Sequence, residues 1–168
     1  MFLAFQVATV MLSAIAMSLA VAHALELPGK MRLDKETYLS VQTIYYPGFT
    51  FGGFSEGLAM LATLVLLLMT PTSVIRFWLT LIAVCGFIGM QVVYWAVTHP
   101  VNKFWLKNKQ LSGAGKQLFA SDPLRRGEAG DEGHETWQEL RDRWEYSHVA
   151  RAILALVALI ALVIAVAL

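Results

Sequence analysis

The sequence is nearly empty of cysteine, of charge imbalance and of charge altogether. A single thiol, Cys85, excludes an internal disulfide, and it excludes any Cys-x-x-Cys redox or zinc pair. A dithiol reductase mechanism therefore has no chemistry to stand on. Cys85 sits in an apolar run, so a small packed core residue is expected there. The formal net charge of +1 gives no footprint for nucleic acid, and none is expected as a partner. Only 15% of residues are charged against 57% hydrophobic, which is not the balance of a soluble 168-residue domain. There is no internal repeat, and nothing in the sequence speaks to oligomeric state.

What is present is a set of four apolar runs, at about residues 2–24, 51–69, 74–98 and 147–168. Each approaches the roughly 20 residues that cross a bilayer core. Ala22-His23-Ala24 resembles a small-residue cleavage site, but no basic region precedes the first run, so a retained span is expected. Thr70-Pro71 is expected to end the second helix and His99-Pro100 the third. The expected fold is one all-α domain over residues 1–168, an integral membrane four-helix up-down bundle in contact with the lipid bilayer. Between the first two spans, Asp34 is a plausible cap for a short interfacial helix carrying Tyr38, Val41, Gln42 and Tyr45, ended by Pro47-Gly48. That helix is expected to lie flat and roof the bundle. Residues 102–134 hold glycines at 113, 115, 127, 130 and 133 and read as a mobile loop. From about Glu135, Trp137, Leu140 and Trp144 form a stripe that runs on into His148 and Arg151, a helical stem leading into the last span. Lys30, Arg32, Lys35 and eight Lys/Arg between Asn102 and Glu145 share the side of the two long connections, with only Arg76 opposite. The positive-inside rule makes that side cytoplasmic and puts both termini outside an inner membrane.

On this topology the ionisable residues collect at one end. His23 and Glu26 close the first span, and Glu56 is one turn into the second beside Gly52, Gly53 and Gly57. Gln91, Trp95, His99 and Asn102 follow one side of the third, while Glu145, His148 and Arg151 open the fourth at three-residue spacing. Ionisable groups at membrane depth are costly and usually mark a site. Structural readings compete for several of them. His99 before Pro100 can cap a helix end, Arg151 can snorkel to headgroups, and Trp105 and Trp144 can belong to an aromatic belt. Glu56 is the hardest to dismiss, because a lone carboxylate there needs a partner, and Arg151 or a histidine is the obvious one.

Three chemistries fit. His23, Glu26, Glu56, Glu145 and His148 form two antiparallel His/Glu pairs plus a carboxylate, a partial match to a metal site holding iron or copper. Two of His23, His99 and His148 could ligate a non-covalent haem b. Or the site is cofactorless, with His148 as a general base oriented by a carboxylate and Arg151 stabilising a developing anion.

His23-Ala-Leu-Glu-Leu-Pro-Gly-Lys30, Gln42, Tyr45-Tyr46-Pro47-Gly48-Phe49, Pro100-Val101-Asn102 and Trp144-x-x-x-His148-x-x-Arg151 together resemble a bacterial membrane family grouped with the anthrone oxygenase-like proteins. The asparagine and Trp/His/Arg elements are similar to those of fungal anthrone oxygenases, which use oxygen to turn an anthrone into an anthraquinone. His23, Glu26 and the Tyr-Tyr-Pro-Gly-Phe stretch lie outside that fungal pattern. The resemblance implies an oxygen-using membrane oxidoreductase with Asn102, Trp144, His148 and Arg151 in its site, acting on a hydrophobic aromatic or quinone-like small molecule. The competing expectation is a non-enzymatic membrane protein that binds lipid, haem or a partner protein, its polar end serving only to pin helices together.

Overall fold

A computed structural model describes residues 2–45, 48–106 and 136–168, with backbone only at 50, 51 and 103–106. The expected mobile loop and the Tyr46-Pro47 pair fall largely or wholly outside those residues. The elements in order are helix α1 (Phe2–Lys30), α2 (Lys35–Val41), a 3-10 turn (Gln42–Tyr45), α3 (Gly48–Leu68), α4 (Ile75–Val93), a π turn (Tyr94–Thr98), α5 (His99–Leu106) and α6 (Trp137–Ala167). Three stretches, Phe2–Lys30, Ile75–Asn102 and Trp137–Ala167, are long and apolar enough to cross a membrane. With α3 they pack in a ring, α1 against α3, α3 against α4, α4 against α6 and α6 back on α1. Among the described residues the fold is all-helical.

Packing inverts the pattern of a soluble protein. On α6, Ala152, Ala155, Ala158, Ala161 and Ala165 turn inward, while Ile153, Leu156, Val157, Ile160 and Val163 are exposed. In lipid the large side chains lose nothing by facing out, and small residues let backbones approach closely. Helix backbones come close at Gly86 of α4, where an added Cβ would sit 3.0 Å from both the Leu154 carbonyl oxygen and Ala158 Cβ. We expect Gly86→Ala to destabilise the detergent-solubilised protein by about 1–3 kcal/mol. Gly57→Ala is the control, because nothing lies within 4 Å of that position and alanine is the better helix former. Equal unfolding midpoints for the two variants would contradict this packing. Buried hydroxyls are satisfied within their own helices, as Thr9 donates to the Phe5 carbonyl at 2.8 Å, Ser13 to Thr9 at 2.8 Å and Thr63 to Ala59 at 2.7 Å.

Three expectations need correction. Proline does not end the third long helix: the chain continues through Pro100 to Leu106, and the wider Tyr94–Thr98 π turn sits where the proline would clash with the preceding turn. Nor does α1 stop near residue 24, the expected end of the first span; it runs past Pro28 to Lys30. Cys85 is not a core residue but exposed on the outer face.

The roof forms as its sequence suggests. The Asp34 carboxylate accepts the Thr37 backbone N–H at 2.8 Å, and these bonds hold its pKa below the usual value. Thr136 and Glu139 form a reciprocal capping box that starts α6. Tyr38, Tyr45, Val101, Leu140 and Trp144 then pack into a small core separate from that of the bundle, which fixes the roof on the ends of α5 and α6.

Candidate functional site

Two polar layers stack at the roofed end. The upper one is built around Lys30, the last residue of α1, which is buried. Its Nζ lies 2.9 Å from Glu26 Oε2 and 3.4 Å from Glu145 Oε1, and it sits over the rings of Tyr45 at 4.7 Å and Trp144 at 5.0 Å. Tyr38 donates to Glu145 Oε1 at 2.9 Å, and Tyr45 donates to Glu26. One lysine and two phenols from the roof and α1 thus satisfy two carboxylates from α1 and α6. Burial is the main cause that pushes both phenols well above their ordinary pKa of 10.0, and the carboxylate each one donates to adds to it.

The sign of the pH effect follows. The folded protein holds these two protons more tightly than the unfolded chain does, so their contribution is complete below pH 10 and is lost as pH rises from there. We expect thermal stability to fall steadily above about pH 10. In a Tyr38→Phe/Tyr45→Phe variant that part of the slope should be missing. An unchanged slope in the double variant would mean these phenols are not the source.

The lower layer surrounds a cavity of about 90 Å³ between all four long helices, under the roof. Arg151, on α6, reaches into it. Its Nη2 donates to both oxygens of Glu56, at 2.5 and 2.7 Å, and Gln91 Nε2 adds a bond to the same carboxylate at 3.3 Å. Arg151 Nη1 lies 3.2 Å from His148 Nδ1, and the guanidinium sits 5.2 Å from the centre of the Tyr94 ring. A guanidinium only donates, so Nδ1 accepts, and the neutral His148 ring carries its proton on Nε2. Trp144 Nε1 donates to Asn102 Oδ1 at 2.8 Å, which sets the amide's orientation on the cavity wall. Thr98 donates to Ser147 Oγ at 2.8 Å, since Ser147 spends its own proton on the Trp144 carbonyl at 2.6 Å. The rings of His23 and His148 stack at 4.1 Å, with Tyr45, Phe49 and Trp144 around His23 at 4.6, 4.4 and 5.4 Å. Arg151 Nε, His148 Nε2 and His23 Nδ1 are buried with no hydrogen-bond partner.

Of the residues singled out in the sequence, His23, Glu56, Asn102, Trp144, His148 and Arg151 line this one cavity. His99 does not: its ring packs beside Trp95 at 4.8 Å and Tyr94 at 5.7 Å, and Thr98 takes the place on the wall. Gln91, Trp95, Thr98 and Asn102 follow at spacings of four, three and four, so the helix face itself points to Thr98. Glu26 and Glu145 belong to the upper layer. His148 is oriented by Arg151 rather than by a carboxylate, and the carboxylate at hand, Glu56, is held by the same arginine. Lys30, Tyr38 and Ser147 were not legible as partners; for Lys30 the one local hint was its four-residue spacing from Glu26.

The five residues proposed as metal ligands are not brought together. Among the described residues no group of three or more His, Cys, Asp or Glu side chains is placed to hold an ion. Glu26 and Glu145 are taken by Lys30 and the tyrosines, and Glu56 by Arg151. Nor do the residues fit a haem held between His23 and His148, because rings stacked at 4.1 Å leave no gap for a macrocycle.

The model of one protein family, described as Anthrone oxygenase, matches residues 42–161, from the 3-10 turn through most of α6. No curated protein and no solved structure matches the chain. The matched stretch carries Glu56, Gln91, Asn102, Trp144, His148 and Arg151, whereas His23, Glu26 and Lys30 precede it. A family match over well more than half of the sequence, on an all-helical and strongly apolar scaffold, places this chain in the anthrone oxygenase family.

Proposed function

We propose that the protein is a membrane oxygenase that oxidises an activated methylene of a planar, hydrophobic aromatic ketone to a carbonyl, giving a quinone. The observation that carries the reading is the cavity itself. It is walled by aromatic rings and by His23, His148 and Arg151, each of which carries a buried nitrogen with no hydrogen-bond partner, in a protein whose outer surface is strongly apolar. Unpaired buried donors cost free energy and are retained where a ligand supplies the acceptor. The bilayer both dissolves and concentrates a substrate of this kind. The roofed end, where α5 ends and α6 begins, is taken as the cytoplasmic end of an inner-membrane protein because the Lys/Arg-rich connections join the helices on that side of the sequence topology.

The chemistry balances without a further reductant. A basic side chain takes one methylene proton, and the electron pair left on carbon spreads onto the ketone oxygen. Arg151, His148 and Asn102, which line the cavity, are the proposed donors to that oxygen. The carbanion adds to dioxygen, and the resulting hydroperoxide loses its second methylene hydrogen and a hydroxide. The products are the new carbonyl and one water. Substrate and oxygen are therefore consumed one to one.

The test is oxygen uptake and quinone absorbance by the purified protein in lipid nanodiscs supplied with an anthrone, against empty nanodiscs. Arg151→Leu is expected to lose at least a hundredfold in rate, as loss of an oxyanion-stabilising donor does. If the wild type consumes no oxygen with any such ketone, the helix-pinning reading takes its place.

A further inference from the structure

The cavity holds two imidazoles in contact, and their surroundings are opposite. His148 Nδ1 faces only the guanidinium of Arg151, which can do nothing but donate. His23 Nδ1 has Glu26 Oε2 4.0 Å away, and that carboxylate can only accept. A lone pair turned toward the carboxylate would be repelled, while an N–H there is attracted, directly or through one bridging water. The neutral tautomers are thereby opposed. His148 has its proton on Nε2. His23 has its proton on Nδ1 and leaves Nε2 with a free lone pair.

We propose that the pair divides the acid–base work, with His23 Nε2 as the proton acceptor and His148 Nε2–H as a donor to the substrate oxygen. The assignment rests on the oxygenase reading for its chemistry, though not for the tautomers. In the step, the substrate C–H bond breaks, the proton goes to His23 Nε2 and the electron pair passes to the ketone oxygen. Dioxygen is the oxidant, and the proton returns to the departing hydroxide as water. The cations beside the pair, Lys30 and Arg151, are each engaged by carboxylates, so both rings rest neutral and His23 takes a proton only in the step itself. Glu26 is also the route out: its side chain is 38% exposed while that of His23 is 8% exposed, so the carboxylate lies between the imidazole and water. His23 belongs to α1, a helix that precedes the stretch matched by the family model.

Two measurements test this independently. The first is the nitrogen spectrum of histidine-labelled protein in nanodiscs, assigned with His23→Gln and His148→Gln. The His23 signal is expected to report a protonated Nδ1 and the His148 signal a protonated Nε2; the same tautomer on both rings overturns the proposal whatever the protein catalyses. The second is anaerobic exchange of the anthrone methylene hydrogens in deuterated buffer, which reads proton removal without oxidation. His23→Gln should lose at least a hundredfold in exchange rate while still binding the ketone, followed by quenching of tryptophan fluorescence, and free imidazole should restore part of it. His148→Gln retains an N–H donor and should lose about tenfold or less. The reverse order of the two variants, or no rescue at His23, sinks the assignment. If the wild type shows the opposed tautomers yet no exchange, the oxygenase reading fails and the structural part stands.

Discussion

Glu56→Leu is expected to be among the most destabilising single substitutions in the bundle, at about 3–5 kcal/mol. The reason is what it leaves behind. Arg151 is 5% exposed, and its Nη2 gives both of its short hydrogen bonds to Glu56. Without that carboxylate the buried guanidinium keeps only an imidazole nitrogen and the face of Tyr94, and Gln91 loses its acceptor as well. An uncompensated buried cation is far more costly than the pair was stabilising. It follows that Glu56→Leu/Arg151→Leu should recover most of the loss, because neither charge then remains to be desolvated, and the coupling between the two sites should be large. On the proposed function activity follows another rule: the double variant regains stability and stays inactive, since the proposed donor to the substrate oxygen is gone. Reversible unfolding in mixed micelles measures the first quantity and oxygen uptake the second. A double variant less stable than either single one would show that the pair contributes more than it costs.

That partnership was visible in the sequence in outline, because a carboxylate one turn inside an apolar run demands a counter-charge and Arg151 was the nearest candidate. Other features were equally readable. Asp34 two residues past an Arg is a strong cap, and Trp137, Leu140 and Trp144 at helical spacing extend without a break into His148 and Arg151. Periodicity carries such information because it is local. What it cannot carry is which side chain meets which across a gap of more than a hundred residues. Lys30, after Pro28-Gly29, looked like loop, and nothing near it announces Glu145, yet the two are in contact. Pro100 misled for a different reason. Proline excludes one hydrogen bond, not the helix, and a π turn absorbs the clash at a cost that packing against α6 can offset. His99 was preferred to Thr98 because it is ionisable, although helix geometry put the hydroxyl on the cavity face. The metal reading shares that blindness to distant partners: among the described residues the carboxylates it needs are engaged by Lys30 and Arg151.

Lys30 gives the second large effect, and it concerns the roof rather than the cavity. Its ammonium is the only cation among the described residues in contact with both Glu26 and Glu145, and the rings of Tyr45 and Trp144 cover it. Replacing it by methionine keeps the length and apolar stem but leaves the Glu145 carboxylate, 1% exposed, with the Tyr38 hydroxyl as its donor from the roof. The expected loss is again about 3–5 kcal/mol, yet its distribution should differ from that of Glu56→Leu. The roof touches the bundle through the small core of Tyr38, Tyr45, Leu140 and Trp144, whereas α1, α4 and α6 are held by their own alanine-lined contacts. Hydrogen exchange in Lys30→Met should therefore accelerate first across Lys35–Tyr45, with the middle of the bundle unchanged. Adding Glu145→Gln removes the stranded charge while an amide can still accept from Tyr38, and protection of the roof should return in part. Uniform acceleration throughout the chain would mean that roof and bundle unfold as one unit, and that the lysine holds the whole protein together rather than the cover over its cavity.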